Sequence, residues 1–116
     1  MTAQELRKHA LDHAMSLPEA WEDHPWGDHV VKVRKKIFVF LGEPTDGFAV
    51  TLKLPLSGET ALALPGAKPT AYGLGKHGWV SLRMGPSTLE PDTLLRWIDE
   101  SYRAVAPKTL GRKVEF

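Results

Sequence analysis

The feature that most limits the fold is a run of β-branched and aromatic residues from Val30 to Lys53, interrupted at two places. The first interruption is the basic pair Arg34-Lys35, and the second is the segment Gly42–Gly47. Short apolar runs separated by turn-forming breaks are typical of antiparallel strands joined by hairpins. The sequence therefore predicts a three-stranded antiparallel meander.

The first break also predicts the register of this meander. If Arg34-Lys35 is a two-residue turn, then Val33 faces Lys36 and Val31 faces Phe38. Two-residue hairpin turns favour glycine, because their central residues adopt positive φ. A longer turn or a β-bulge is therefore the alternative. In the simple register, one face of the hairpin carries four core residues: Val31, Val33, Phe38 and Phe40.

Helical patterns flank the strands. Thr2 and Glu5 have the spacing of a capping box, which predicts a helix from about Ala3 to Ser16. Pro91 suits the first position of a last helix that ends before Pro107. A short helix (Gly58–Leu64) and another strand (Trp79–Met84) are expected between them. The predicted fold is α+β: an antiparallel sheet of about four to five strands with the N- and C-terminal helices packed on one face.

Length and composition limit the classes of protein. A chain of 116 residues suits one domain, with a core over about residues 3–106 and a basic C-terminal tail over 107–116. The absence of cysteine excludes disulfides and thiolate metal ligands, and it fits a reducing compartment. No apolar run resembles a signal peptide or is long enough to cross a bilayer. We expect a cytoplasmic protein that does not enter the membrane.

Three segments together resemble the small bacterial MmcQ/YjbR family. They are Leu17–Gly27, with two tryptophans and two prolines, then Val30–Phe40, and Tyr72–Trp79. The similarity extends from about Leu6 to Lys108. It implies a compact sheet-and-helix shape related to frataxin and a DNA-binding-like, non-enzymatic function.

Motifs for catalysis or cofactor binding are weak. The letters of Gly73–Gly78 match the dinucleotide fingerprint, but they precede a strand and do not open a helix, so a turn is the favoured interpretation. His9 and His13 have a zinc-like spacing without a third ligand. No serine lies in a nucleophile-elbow context. We therefore predict no enzyme activity, no cofactor and no metal.

The resemblance favours DNA as a partner, contacted through phosphates and with weak sequence selectivity. Because the net charge is only +1, such binding requires cations gathered on one surface. The predicted phosphate contacts are Lys32, Arg34, Lys35, Lys36, Lys53, Lys76, His77 and Arg83.

Two other hypotheses remain open. The first is a module that recognises an anionic small molecule or protein group in a groove formed by Trp26, Lys53, Tyr72, Lys76 and Trp79. The second hypothesis starts from the frataxin-like shape and assigns iron binding to acidic residues. It ranks last, because Glu19, Glu22, Asp23 and Asp28 occupy one short segment.

Overall fold

The computed structural model describes residues 2–25, 28–43, 47–71, 73–85 and 88–114. Within these ranges one antiparallel sheet has the spatial order β1-β2-β3-β4-β6-β5. Its strands are β1 (Ala20–Asp23), β2 (Val30–Val33), β3 (Lys36–Leu41), β4 (Phe48–Lys53), β5 (Lys68–Pro69) and β6 (Trp79–Met84). The helices are α1 (Ala3–Met15), α2 (Gly58–Leu62), α3 (Pro91–Val105) and α4 (Lys108–Gly111), with a 3-10 turn at Leu74–His77. The predicted α+β fold is confirmed, with six strands where four to five were expected.

The two additional strands lie at the edges of the sheet. β1 pairs with β2, although Ala20–Asp23 carries none of the apolar alternation of a half-buried strand. β5 has only two residues, Lys68 and Pro69, and both are exposed. Edge strands that bury little have no periodic hydrophobic signal, which is why the sequence pattern does not reveal them.

Helices α1 and α3 cover one face of the sheet. Leu6, Ala10 and Ala14 form the buried stripe of α1. The small side chains of Ala10 and Ala14 let this helix approach its neighbours closely, and both residues are fully buried. Alternate residues of β4 and β6 complete the core: Phe48, Val50, Leu52, Val80, Leu82 and Met84.

A β-bulge changes the predicted register of the first hairpin. Val33 pairs with Lys36, as expected, but Val31 pairs with Val39 instead of Phe38. The shift inserts Phe38 as an extra residue, so Phe38 stays in the core. Phe40, which pairs with Thr51 of β4, turns to the opposite face. The prediction that Phe40 shares the core face was therefore wrong.

Four consecutive residues of α3 are polar and buried, and each binds a different part of the chain. Asp99 pairs with His13 of α1 at 2.7 Å. Glu100 accepts hydrogen bonds from the amides of Leu56 and Ser57 at 2.9 Å. The other two residues make long-range bonds to the backbone: Ser101 to Phe38 and Lys53, and Tyr102 to Pro18. This helix therefore fixes α1, the β3–β4 region and the loop after β4 relative to one another.

Within the segment predicted as a basic tail, residues 107–114 are described, and they fold back onto the domain. Leu110 and Val114 are each 6% exposed and belong to the core. Pro107 precedes the short helix α4, whose residues lie against the end of α3. Within the described ranges, no helix has the length and apolarity needed to cross a bilayer.

Candidate functional site

The sheet face opposite the helices carries a row of hydroxyls between aromatic and basic side chains. The Ser81 hydroxyl lies 3.1 Å from that of Thr51 and 2.9 Å from that of Thr70, linking β4, β6 and the residue after β5. The Trp79 ring meets the Phe40 ring edge-on, with centroids 6.0 Å apart. The bulge in β3 places Phe40 on this face, so the register change shapes the open surface.

A groove of about 420 Å³ opens at one end of this face, and we call it the lysine groove. Four lysines line it, together with apolar and aromatic side chains of the sheet, the 3-10 turn and the last turn of α3. The lining residues are Lys32, Lys35, Lys36, Ile37, Phe40, Lys53, Leu74, Trp79, Ala104 and Val105. Cations spread over β2, the β2–β3 turn, β3 and β4 thus converge on one concave surface.

One of these lysines is neutralised by a neighbour. The Lys32 ammonium lies 2.6 Å from a carboxylate oxygen of Asp23 and 5.1 Å from the Trp21 ring centroid. The hydrogen bond from Lys32, followed by that from the His24 amide, holds the pKa of Asp23 below its usual value, so Asp23 is ionised at neutral pH. Lys35, Lys36 and Lys53 form no ion pair with any residue of the described ranges. The groove therefore presents three uncompensated positive charges.

The remaining predicted phosphate contacts lie outside the lysine groove. Arg34 has a φ of 55° in the β2–β3 turn and pairs with Glu19 at 3.3 Å. Lys76 and His77 are exposed on the 3-10 turn, which lies between two glycines with positive φ, Gly73 and Gly78. Arg83 is exposed near the far end of β6. The structure thus gathers half of the predicted set: Lys32, Lys35, Lys36 and Lys53.

The alternative ligand groove is brought together in part. Lys53 and Trp79 are direct cross-strand partners and both line the lysine groove. Lys76 does not line it. Trp26 and Tyr72 lie outside the described residues.

A second cavity, of about 550 Å³, adjoins the lysine groove. The two share Phe40 and Leu74, which stand between them. The second cavity is bordered by Asp28, His29 and Glu43 at its far side. The open face is consequently basic at one end and acidic at the other, which favours anionic ligands only at the lysine end.

A chain of hydrogen bonds joins α1 to the first two strands. Arg7 Nη2 lies 2.7 Å from His29 Nδ1, and His29 Nε2 lies 2.7 Å from a Glu22 carboxylate oxygen. Because a guanidinium only donates, Nδ1 accepts and Nε2 carries the hydrogen that is donated to Glu22. Arg7 also binds the carbonyls of Gly42 and Leu41.

The same region contains the ligand types of a metal site. The ligand atoms of Glu22, His24 and His29 all lie within 4.8 Å of one another, and no sequence motif indicated this group. The only available signal was the hairpin pairing that brings the end of β1 beside the start of β2, and β1 itself was not predicted. Of the zinc-spaced pair His9 and His13, His13 bonds Asp99 at 2.7 Å.

The acidic residues of the iron hypothesis are largely engaged by basic side chains. Glu19 pairs with Arg34, Glu22 with His29 and Asp23 with Lys32. Asp28 borders the second cavity. Three of these carboxylates each bond a different residue, so together they do not form one metal site with oxygen ligands.

Comparison with known proteins identifies one family. The family model described as YjbR matches residues 15–104, from the last residue of α1 almost to the last residue of α3. A search of curated proteins gives no match. The matched range contains every strand of the described sheet and all residues that line the lysine groove except Val105, and the chain belongs to the YjbR family.

Proposed function

We propose that the lysine groove binds nucleic-acid phosphates and that the protein is a non-enzymatic nucleic-acid-binding domain. The observation that carries this proposal is the convergence of Lys32, Lys35, Lys36 and Lys53 on one concave surface. Asp23 is the carboxylate that neutralises one of them, while the other three have no ionic partner in the described part of the chain. Such a surface attracts anions and releases the counterions condensed on nucleic acid.

The size of the cationic cluster limits the affinity. Four lysines contact at most about four phosphates, which corresponds to a salt dependence of roughly −3.6 in log–log slope for duplex DNA. Affinity would then fall roughly 150-fold between about 50 mM and about 200 mM salt. This is the behaviour of a weakly selective phosphate binder.

The structure offers little for reading bases in a duplex groove. At the lysine groove α3 presents only Ala104 and Val105, which have no side-chain donors or acceptors. The polar residues of α3, from Asp99 to Tyr102, are buried and bonded to other parts of the chain. We therefore do not propose sequence-specific DNA binding through a recognition helix.

A small anionic ligand is the second candidate. The groove volume of about 420 Å³ lies within the range typical of small-molecule sites, and Trp79 and Phe40 supply flat apolar walls. A carboxylate or phosphate among Lys35, Lys36 and Lys53 would be held by charge-assisted hydrogen bonds. This reading needs no contact outside the groove, whereas nucleic acid would extend beyond it.

Fluorescence anisotropy with a labelled duplex at about 50 mM and about 200 mM salt tests the proposal. We expect measurable binding that falls steeply with salt. The variant Lys35→Glu, Lys36→Glu should abolish it, while the control Lys8→Glu, Lys113→Glu makes the same change in charge outside the groove and should retain it. Absence of binding at the lower salt concentration, or equal loss in both variants, would refute a phosphate site in the groove. Inorganic phosphate that protects the wild type but not the groove variant from thermal unfolding, without duplex binding, would favour the small-ligand candidate.

A further inference from the structure

Cross-strand pairs on both sides of the lysine groove bring aromatic and basic side chains together across the open face. Trp21 of β1 pairs with Lys32 of β2, and Lys32 pairs with Ile37 of β3. On the next two strands Lys53 pairs with Trp79. Lys32, Ile37, Lys53 and Trp79 all line the lysine groove, so the two pairs belong to a continuous surface.

These five residues, which we call the row, follow the order tryptophan, lysine, isoleucine, lysine, tryptophan. The row crosses the strands from β1 to β6, which are separated by four inter-strand spacings. At about 4.8 Å per spacing, the row is about 19 Å long. Each lysine thus lies beside a flat aromatic side chain, and the middle of the row is apolar.

We propose that this row is a platform for a single strand of nucleic acid that runs across the sheet, with phosphates at Lys32 and Lys53 and bases stacked on Trp21 and Trp79. The proposal rests on the proposed function, since it uses two lysines of the groove as phosphate contacts. It goes further by naming the class of nucleic acid and its direction across the strands.

The two tryptophans are available for stacking in different ways. Trp21 is 42% exposed, and its indole nitrogen donates to the Arg34 carbonyl at 2.8 Å. This bond holds the ring in place, and the Lys32 ammonium already lies over it. Trp79 is half-buried at the groove wall, supported edge-on by Phe40. Rings that are fixed before binding lose little conformational entropy when a base packs against them.

Charge and stacking together favour a single strand over a duplex. In a duplex the bases are stacked on one another, so the indoles have no base faces to contact. A single strand exposes its base faces, and stacking on an aromatic side chain tolerates any sequence. A row of about 19 Å accommodates a few nucleotides, at the lower end of the roughly 4–16 nucleotides bound by known single-strand modules.

The test uses the full chain and four labelled probes of equal length, about 12 nucleotides. They are an oligothymidylate, an oligouridylate, a duplex, and an abasic deoxyribose-phosphate strand of the same charge. We expect at least one of the base-containing single strands to bind roughly 10-fold or more tightly than the duplex and the abasic strand. A preference between thymidylate and uridylate would show whether DNA or RNA is favoured, and either preference supports the proposal.

Substitutions at the tryptophans separate stacking from charge. Trp79→Leu and Trp21→Leu keep an apolar side chain but remove the flat ring, and each should weaken single-strand binding roughly 5- to 150-fold. Trp79→Phe and Trp21→Phe keep a ring and should retain most of the affinity. In each leucine variant duplex binding should fall by a smaller factor than single-strand binding, and circular dichroism with thermal unfolding confirms that each variant is folded.

The outcomes distinguish this inference from the proposed function. Equal binding of the duplex, the abasic strand and the base-containing strands would overturn the platform while leaving phosphate binding intact. Loss of duplex and single-strand binding to the same extent in the leucine variants would also overturn it. Absence of binding to every probe would refute both proposals.

Discussion

The Ser101 hydroxyl of α3 accepts a hydrogen bond from the Lys53 amide at 2.8 Å and donates to the Phe38 carbonyl. The β3–β4 ladder ends at the pair Val39 and Leu52, so these two backbone groups have no ladder partners beyond it. Ser101 is fully buried, and its hydroxyl replaces the missing bonds. The core helix therefore fixes both the bulge in β3 and the backbone from which a groove lysine projects.

Removing this hydroxyl should affect stability and binding together. Ser101→Ala leaves the Phe38 carbonyl and the Lys53 amide unpaired in a buried position, and we expect a loss of about 2 kcal/mol in the free energy of unfolding. Affinity of the groove for duplex DNA should fall, because Lys53 is no longer held. Urea denaturation and anisotropy measure the two effects. Ser81→Ala is the control, since its hydroxyl lies on the half-buried open face, and it should cost under about 1 kcal/mol. Equal costs for the two variants would contradict the role given to Ser101.

Removal of the Asp23 carboxylate should strengthen anion binding by the lysine groove. Lys32 holds the pKa of Asp23 below the usual value, so this carboxylate is charged throughout the neutral range and offsets the nearby ammonium. Asp23→Asn should increase affinity for single- and double-stranded probes roughly two- to five-fold at low salt. Glu59→Gln on α2 removes an equal charge away from the groove and is the matched control. If Asp23→Asn bound the probes more weakly than the wild type, the Asp23 carboxylate would be needed to hold Lys32 where it can reach the ligand.

Much of the fold is predictable because its signals are local. The capping box at Thr2 and Glu5 is present, and Pro91 occupies the first turn of α3. The alternation in β4 and β6 matches the observed burial. A bulge was an alternative for this hairpin, but its position at Phe38 has no local signal. The Phe38 carbonyl accepts a hydrogen bond from Ser101, which is 63 residues further along the chain.

The part of the candidate site that can be predicted also depends on residues that are close in sequence. Lys32, Lys35 and Lys36 are close in sequence, and a hairpin was enough to group them. Lys53 and Trp79 join them only through the β3–β4 and β4–β6 pairings. Lys76 and His77 were among the predicted phosphate contacts, yet both are exposed on the 3-10 turn and do not line the groove. Composition gives the residue types, while the order of strands decides which of them meet.

Arg7 should suppress metal binding by Glu22, His24 and His29. A metal ion at His29 Nε2 requires the hydrogen on Nδ1, but the Arg7 guanidinium donates to Nδ1 at 2.7 Å. Arg7→Met removes this donor and its charge, and it should raise the affinity for Zn²⁺ roughly 10-fold or more. Competition with a chromophoric chelator measures the change. Arg112→Met is the control for loss of an exposed cation, and His24→Ala in the Arg7→Met background should reverse the gain. Equal zinc affinity in wild type and Arg7→Met would show that the guanidinium does not govern this group.

Tyr102 should make the protein less stable at alkaline pH. Its phenol is buried and donates to the Pro18 carbonyl at 2.6 Å, and burial, followed by the nearby Glu19 carboxylate, raises its pKa above the usual value. Since the folded pKa is the higher one, the unfolded chain loses this proton first as the pH rises past about 10. The stabilisation from the neutral phenol is complete below that pH and declines above it.

Tyr102→Phe separates this effect from other alkaline titrations. It should lower the free energy of unfolding by about 1 kcal/mol at neutral pH, because the Pro18 carbonyl loses its partner. Between about pH 9 and pH 11 its stability should fall less steeply than that of the wild type, so the difference between the two proteins narrows. Urea midpoints across this range give the comparison, and absorbance of ionised tyrosine reports the titration directly. If the difference in free energy of unfolding between the two proteins stayed constant or widened with rising pH, a raised pKa of Tyr102 would be contradicted. A raised pKa requires the wild type to lose more stability than the phenylalanine variant as the pH rises.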